Sequence, residues 1–477
     1  MKLPELGKLS HEEKDELIIR LWPLAALVEE LRAQNARLQE RVTELERRLA
    51  LNSRNSSKPP SSDGMKPQPK SLREVGKRSS GGQKGHEGTT LKKAEVPDKI
   101  IIHGPFQTCD ACQGNLADAE LWEVEARQVY DLAPLRYEVS EHRVMQARCR
   151  CGKLHRGEFP EYVRASVQYG PRVLATMVHL NHHHMLPLQR TAALIHDMFG
   201  LQVSQGSVLA ACEEAAKRIS PCVEAIFQAL QRAPVVHADE TGLRVNKALH
   251  WLHIVATKWL TWIAQHVRRG KIAIKELGLL PGFKGTLIHD GWESYWILTC
   301  QHGLCNAHHL RELTYVYEEF KQPWAGDMIL LLKQAYQKAE CGKLLAPYQI
   351  EHMRSVYEMI LDQGDAANPR NLSQGKRGRI KQSKPTNLLM RLREYADEVW
   401  RFIYDPTVPF TNNIAEHAVR MPKVKQKISG CFRTTNGADT FCVIRSYLAT
   451  MAKQGANLID ILTKTFFQSP PYPNFSS

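Results

Sequence analysis

Two short apolar segments in the middle of the chain each run into a histidine and an aspartate. PVVHADET leads to Asp239, and GTLIHDGWESY leads to Asp290. Because both segments are short and apolar, each is predicted to be a buried strand. Carboxylates at the ends of neighbouring strands converge across a sheet, which is how an oxygen-rich Mg²⁺ site is built. The pattern predicts an α/β domain with such a site, although Glu240 and Glu293 are alternative ligands at the same places.

A third carboxylate is needed if two metal ions, roughly 3.5–4 Å apart, are to activate a water or hydroxyl in phosphodiester chemistry. Glu416, in TNNIAEHAVRMPKVKQK, is the candidate. Asn413 is a suitable N-cap that puts Glu416 at the third helical position, so a capping-box glutamate without catalytic role is the alternative. Pro422 is expected to interrupt or kink this helix. Basic residues on the same helix are predicted to bind DNA phosphates: Arg420, Lys423, Lys425 and Lys427.

The charge balance indicates a polyanionic partner. The 477 residues include 64 Lys+Arg and 50 Asp+Glu, a net charge of +14, with 43% hydrophobic positions. This composition excludes wholesale disorder and a membrane bundle, and the length predicts two to four folding units. A basic loop adds further predicted DNA contacts at Lys376, Arg377 and Arg379. Without a signal peptide or an apolar run that spans a bilayer, the protein is expected in the cytoplasm.

Four cysteines in two close pairs predict a zinc site. Cys109-x-x-Cys112 and Cys149-x-Cys151 can complete a tetrahedral shell, in which His155 is an alternative ligand. The role would be structural, because a closed four-ligand shell leaves no position for a substrate.

The N-terminal arm predicts self-association. Leu24, Leu31, Leu38 and Leu45 repeat every seventh residue, with Val28, Asn35, Val42 and Leu49 at the other core position. This pattern is typical of a parallel two-stranded coiled coil, and a lone helix packed on its own domain is the alternative. Pro23 suggests the helix start. Residues 51–99 follow, with eleven Lys/Arg against five Asp/Glu, and are predicted to be a solvated basic linker.

Residues 165–235 are predicted to be helical. QRTAALIHDMFG and LQVSQGSVLAACEEAAKRI flank a turn at Gly200, and Ser204 or Ser207 is a plausible helix start. A DNA-reading helix-turn-helix and an ordinary helix pair are both compatible with this pattern. The nearby histidines are expected at the surface or an interface: His179, His182, His183 and His184.

Several motifs occur in a specific order: the leucine-zipper arm, NSSKPPSSD, GGQKGHEG (81–88), the cysteine pairs, HADET, HDGWESY, LCNAHHLREL, and NNIAEHAVR with SGCFRTTNGADTFCVIRSYLAT. Over nearly its whole length the chain resembles the large transposase of the insertion sequence 66 family. The resemblance implies an RNase H-like fold with a DDE triad at Asp239, Asp290 and Glu416. It also implies a helical insertion whose CxxH element matches Cys305 and His308. From spacing alone, these two are either metal ligands or a packed pair, and packing is favoured because two further ligands are not nearby.

The predicted fold is therefore multidomain α/β. Its segments are a leucine-zipper-like helix (1–50), a basic linker (51–99), a zinc-binding module (100–160), a helix-turn-helix-like region (161–232), an RNase H-like mixed sheet (233–300), a helical insertion (301–405), the C-terminal part of the core with Glu416 (406–466) and a flexible tail (467–477).

The predicted activity is metal-dependent cleavage of element ends and strand transfer, with Mg²⁺ or Mn²⁺ at the triad and structural Zn²⁺. Double-stranded DNA, a second copy of the chain and accessory proteins of the same element are the expected partners, in a bacterial, nucleoid-associated setting. The alternatives are a DNA-binding regulator or inactive relic that does not cut, and a sequence-tolerant RNase H-like nuclease.

Overall fold

The computed structural model of this protein describes residues 10–56, 93–103, 108–117, 123–130, 135–340, 345–371 and 380–475. The chain divides into two compact units. The first comprises Met1–Pro69, His142–Ala192 and Ser204–Ser477, and the second comprises Lys70–Glu141 and Ala193–Val203. Within the described ranges, no helix is both long and apolar enough to cross a membrane.

The N-terminal arm is one long helix, α1 (His11–Leu49). It begins well before the predicted start, because Ser10 and Glu13 form a capping box: the Ser10 side chain accepts from the Glu13 N–H, and the Glu13 carboxylate accepts from the Ser10 N–H. Pro23 lies inside the helix, so the start predicted there is wrong. No residue of α1 is buried. The arm thus presents its heptad leucines to solvent in this single chain.

The base of the arm contacts the rest of its unit. The Tyr315 hydroxyl donates to the Arg47 carbonyl (3.2 Å), and the Arg47 guanidinium lies 4.3 Å from the centre of the Phe320 ring. Arg54 forms an ion pair with Glu318, and Asn55 is only 2% exposed. The first residues of the predicted linker, 51–56, are therefore docked rather than solvated, and residues 57–92 of that segment lie outside the described residues.

Residues 142–232 form a small hairpin followed by helices. Strands β1 (Gln146–Arg148) and β2 (Leu154–Arg156) pair antiparallel. Helix α2 (Pro171–Val178) continues into a π turn (His179–His183), and α3 (Leu188–Phe199) and α4 (Gln205–Gln231) follow. Gly200 has a φ of +71°, and the Ser204 side chain caps α4 by accepting from the Ser207 N–H. The two helices and the cap agree with the sequence, while a DNA-reading role for them stays a prediction.

A five-stranded mixed sheet forms the centre of the larger unit. Its strands are β3 (Val235–Val245), β4 (Ala248–Ala256), β5 (Thr261–His266), β6 (Thr286–His289) and β7 (Gln301–Leu304), with α5 (Lys271–Leu277) between β5 and β6. The spatial order is β5-β4-β3-β6-β7. The first three strands pair antiparallel, and β3-β6 and β6-β7 pair parallel. This arrangement fits the predicted RNase H-like fold.

Two of the three C-terminal helices, α11 (Asn413–Ser429) and α12 (Thr435–Lys453), contact the sheet, while α13 (Leu458–Phe467) packs mainly against α2. Helix α12 closes the edge at β5, because Ser446 Oγ accepts from the Ile263 N–H (2.8 Å) and Thr450 Oγ1 accepts from the Thr261 N–H (3.0 Å). These bonds satisfy backbone groups that an open edge strand would leave unpaired.

The helical insertion contains α6 (Asn306–Glu319), α7 (Pro323–Glu340), α8 (Pro347–Ala367), α9 (Lys384–Glu394) and α10 (Ala396–Tyr404). Trp324, Tyr357 and Trp400 are buried in its core, which extends to Ile288 of β6. The sequence placed residues 301–304 in the insertion, whereas the structure makes them strand β7. The insertion therefore begins only at Asn306, directly after the sheet.

Candidate active site

Strands β3 and β6 bring the two predicted aspartates side by side. The parallel register pairs Val235 with Thr286 and His237 with Ile288. Continuing this register by two residues brings Asp239 level with Asp290, which follows β6 directly. Asp239 lies within β3 because that strand runs on to pair with β4, so only Asp290 is at a true strand end.

The start of α11 is fastened to β3 next to Asp239. The Asn412 side-chain amide donates to the Ala238 carbonyl (2.8 Å), and its Oδ1 lies 2.9 Å from His237 Nδ1. The Asn412 N–H also donates to Cys305 Sγ (3.1 Å). Asn412, and not Asn413 as predicted, is the residue at the N-cap. Glu416 lies in the first turn of the helix, so the position of Asn412 determines where this carboxylate lies.

The three carboxylates interact electrostatically. Burial, together with the negative charges of Glu240, Asp290 and Glu416, raises the pKa of the Asp239 carboxyl to about 8. Like charges collected in a partly buried site repel one another unless a cation neutralises them. The oxygen donors of Asp239, Asp290 and Glu416 are those that a hard divalent cation prefers, so this donor set fits such an ion.

Glu240, the first alternative ligand, is bound to other partners. Its carboxylate accepts from Arg269 Nε (2.9 Å) and from the Tyr295 hydroxyl (2.6 Å). The Arg269 guanidinium in turn lies 4.1 Å from the centre of the Trp292 ring. Since Tyr295 and Trp292 belong to the segment after Asp290, this network ties that segment to β3. Sequence analysis missed it, although Trp292 and Tyr295 are part of the HDGWESY motif.

Glu293, the second alternative, is exposed at the start of a 3-10 turn (Glu293–Ile297). The backbone N–H of Trp292 donates to Asp290 Oδ1 (2.9 Å), which orients Asp290 in the same segment. Among the interactions of the described residues, Glu293 has no hydrogen bond or ion pair that links it to the site at Asp239.

Glu416 contacts the CxxH element. Its Oε1 lies 3.8 Å from Cys305 Sγ, 3.9 Å from His308 Nδ1 and 3.6 Å from Arg311 Nη2. Burial and the Glu416 charge raise the pKa of the Cys305 thiol to about 12, and burial lowers the pKa of His308. The sequence favoured a packed pair because no further ligand was near; the fold supplies Glu416, which lies far away along the chain.

The predicted DNA-binding residues of α11 do not share one environment. Arg420 and Lys427 are exposed, and Lys423 Nζ donates to the Gly242 carbonyl (3.1 Å). Lys425 differs: its Nζ lies 5.6 Å from the centre of the Phe441 ring, and burial lowers its pKa. Lys425 is thus less exposed than the other three, and its contact with DNA stays a prediction.

Helix α11 continues through the proline expected to interrupt it. Pro422 is buried within the helix, which runs to Ser429. The loop residues Lys376, Arg377 and Arg379 lie outside the described residues.

Each cysteine pair lies on its own turn. The backbone N–H of Cys112 lowers the pKa of the Cys109 thiol, and that of Cys151 lowers the pKa of the Cys149 thiol. Cys149 and Cys151 lie between β1 and β2, and His155 is exposed on β2. Lowered thiol pKa values favour metal binding, but the joint zinc site stays a prediction.

The histidine cluster is only partly at the surface. His182 is 5% exposed, and its Nδ1 lies 3.3 Å from Cys212 Sγ, so its predicted surface position is wrong. The rings of His179 and His183 stack at the π turn, and His184 meets both of them edge-on, with centroid separations of 4.7–4.9 Å.

Comparisons with known proteins agree with this architecture. A family model described as the transposase IS66 family matches residues 166–440, a range that contains all three carboxylates and the helical insertion. A family of unknown function, DUF6444, matches residues 1–92. No curated protein matches the sequence. The family implies DNA as a partner and a divalent metal ion as a cofactor. Because the first model covers more than half of the chain, the protein belongs to the IS66 family of transposases.

Proposed function

We propose that this transposase cleaves and joins DNA strands through Asp239, Asp290 and Glu416. The observation that carries the proposal is the electrostatic interaction of Asp239 with Asp290 and Glu416, which are distant from it in sequence. The negative charges of these two residues, together with burial, raise the pKa of the Asp239 carboxyl. Buried titratable groups with perturbed pKa values in a shared site are typical of functional centres.

The three carboxylates would hold Mg²⁺ or Mn²⁺, because oxygen donors suit these ions. When bound, the metal supplies Lewis acidity that activates a water or a 3′-hydroxyl and stabilises the leaving oxygen. The protein positions the donors: Asn412 fixes the start of the helix that carries Glu416, and the Glu240–Tyr295 bond fixes the segment after Asp290.

The DNA backbone is proposed to lie along the outer face of α11. Arg420 and Lys427 are exposed there, and Lys423 is close enough to Asp239 to interact with its charge. Cationic side chains beside a cluster of carboxylates would draw phosphates toward the site. The predicted contacts from Lys376, Arg377 and Arg379, and from the α3–α4 region, belong to the same proposal.

The arm is proposed to pair with the arm of a second copy. Its heptad positions are exposed, with Leu31 at 53% and Leu38 at 65%, so the helix is not packed on its own unit. A parallel coiled coil would cover these side chains and hold two element ends in one complex.

Three further elements of the proposal rest on sequence alone. Cys109, Cys112, Cys149 and Cys151 would bind a structural Zn²⁺. Accessory proteins of the same element would assist the transposase, and the complex would act on the bacterial nucleoid in the cytoplasm.

Asp239→Asn tests the catalytic proposal, with Glu293→Gln as a matched control that removes an exposed carboxylate close to Asp290. On DNA that contains the element ends, Asp239→Asn should abolish Mg²⁺-dependent cleavage and strand transfer while binding stays within a few-fold. Glu293→Gln should retain both steps. Binding without metal-dependent cleavage by the unmodified protein would favour the regulator or relic instead, and degradation without joined products would favour a simple nuclease.

A further inference from the structure

Three side chains of different chemistry meet at the end of β7. Cys305 Sγ, His308 Nδ1 and Glu416 Oε1 all lie within 4.8 Å of one another. Cys305 is at the N-cap of α6, His308 is in the first turn of that helix, and Glu416 comes from α11. In the described part of the chain, this is the one group of three or more potential ligand atoms at such separations.

The donor set suits a softer ion than magnesium. Thiolate, imidazole and carboxylate together are typical zinc ligands, whereas Mg²⁺ prefers oxygen alone. Zinc bond lengths of about 2.0–2.3 Å place tetrahedral ligand atoms roughly 3.3–3.5 Å apart. The Glu416 oxygen lies 3.8 Å from the Cys305 sulfur and 3.9 Å from the His308 nitrogen, so each of these two distances would shorten by about half an ångström on zinc binding.

A second observation points to a ligand. His308 Nδ1 is buried without a hydrogen-bond partner in the described structure. A buried ring nitrogen without a partner is costly, and a metal ion would satisfy it. In addition, the Asn412 N–H donates to Cys305 Sγ at 3.1 Å, a bond that would stabilise the thiolate once a metal ion offsets the burial and the Glu416 charge that raise the pKa of this thiol.

We propose that Cys305, His308 and Glu416 bind Zn²⁺, with water at the fourth position, and that this ion inhibits the transposase by withdrawing Glu416 from the magnesium site. On binding, the Cys305 thiol releases its proton to solvent, and zinc replaces Arg311, which lies 3.6 Å from Glu416 in this structure. Zinc binding stands on the cluster alone. Its inhibitory effect rests on the proposed catalytic role of Glu416.

Cobalt binding to the full-length protein tests the site, because a cobalt–thiolate bond gives a charge-transfer absorption that magnesium sites cannot give. The unmodified protein should bind one more Co²⁺, displaceable by Zn²⁺, than Cys305→Ser or His308→Ala. The other cysteines contribute equally to all three proteins. Cys300→Ser, a nearby partly buried cysteine outside the cluster, should give the same cobalt–thiolate absorption as the unmodified protein, and so should Asp239→Asn.

Circular dichroism and thermal melting establish whether each variant is folded. If Cys305→Ser does not fold, the comparison with His308→Ala still decides the test. Equal cobalt binding by the unmodified protein and by a folded Cys305→Ser or His308→Ala variant would overturn the zinc site.

Inhibition is measured separately, as the fraction of each protein's own Mg²⁺-dependent cleavage that survives added Zn²⁺. The unmodified protein and Cys300→Ser should lose most of their cleavage at one equivalent beyond the other zinc sites, while His308→Ala should need at least tenfold more. Equal sensitivity of His308→Ala and the unmodified protein would overturn the inhibitory role. Failure of the unmodified protein to cleave at all would instead refute the catalytic proposal and leave the cobalt result intact.

Discussion

Asp239 is held in an environment that opposes its ionisation. The side chain is partly buried, and the negative charges of Glu240, Asp290 and Glu416 act on it. With a folded-state pKa of about 8 and an ordinary value of 3.8, the native state binds one more proton than the unfolded state between these pH values. Stability of the metal-free protein is therefore lost as the pH rises through this window.

Replacing Asp239 by asparagine should stabilise the metal-free protein at pH 8, because the neutral amide keeps the acceptor for the Glu240 N–H without the charge. The expected gain in unfolding free energy is about 2 kcal/mol at pH 8, and it should vanish toward pH 4. Chemical denaturation at several pH values measures it.

Glu293→Gln, at an exposed carboxylate, should show no such pH-dependent gain. Addition of Mg²⁺ should raise the stability of the unmodified protein and leave Asp239→Asn unchanged. An Asp239→Asn variant that is no more stable than the unmodified protein at pH 8 would contradict the description of this site.

Local sequence singled out the two aspartates because each follows a short apolar run, and these two runs lie in neighbouring strands of the sheet. It could not assign Lys425, although helical geometry explains its position. Lys425 is five residues after Arg420, and at about 100° per residue it points roughly 140° away from Arg420 around the helix. The partners of Cys305 and Glu240 depend on contacts between distant segments, which no local pattern encodes.

At the scale of elements, the junction between α11 and the sheet controls the site. Asn412 is buried and joins the start of α11 to β3, through bonds to Ala238 and His237, and to the N-cap of α6, through a bond to Cys305. Asn412→Ala should lower the unfolding free energy by about 2–4 kcal/mol, since two buried partners lose their bonds. It should also weaken Mn²⁺ binding by roughly 10- to 100-fold, as loss of a residue that orients metal ligands does.

Asn368→Ala is the matched control. Asn368 is also a buried amide, with bonds to the Gly364 carbonyl and to Gln322, both at 2.8 Å, in the helical insertion. It should lose a similar amount of stability and keep the Mn²⁺ affinity. Equal losses of affinity in both variants, measured calorimetrically, would mean that Asn412 acts through general stability and not through placement of Glu416.

Helices and strands were predictable where the apolar pattern was clear, as in β3, β6, α3 and α4. The errors concern proline. Pro23 and Pro422 both lie inside helices, although an interior proline costs about 3 kcal/mol. Around Pro422, burial against the sheet outweighs this cost. In the arm, the capping box at Ser10 and Glu13 was visible in the sequence and marks the true start.

At the scale of the whole molecule, the arm predicts a concentration-dependent assembly. Leu38→Asp places a charge at a heptad core position that is 65% exposed in the single chain, so it should not destabilise the chain itself. It should shift the protein from oligomer to monomer in sedimentation experiments, because a buried charge opposes pairing of the arms. The control is the sedimentation of Ala33→Asp, a variant with the same charge on the face of the arm helix opposite the heptad core positions.

Ala33→Asp should assemble like the unmodified protein. An unmodified protein that stays monomeric, or a Leu38→Asp variant that assembles normally, would contradict pairing through the heptad seam. The sequence indicated the heptad positions of the arm, but not that residues 51–56 dock at the base of the arm. The composition of this segment is that of a solvated linker, whereas Asn52 and Asn55 form a local hydrogen-bonded turn there.

Helix α6 has a consequence for how assembly reaches chemistry. It starts at the sulfur beside Glu416, and its far end meets the base of the arm through Tyr315, Glu318 and Phe320. Its 14 residues span about 21 Å as one rigid rod. If two arms pair, a rotation at the base of the arm would therefore be transmitted through α6 to Glu416, the carboxylate on which cleavage would depend.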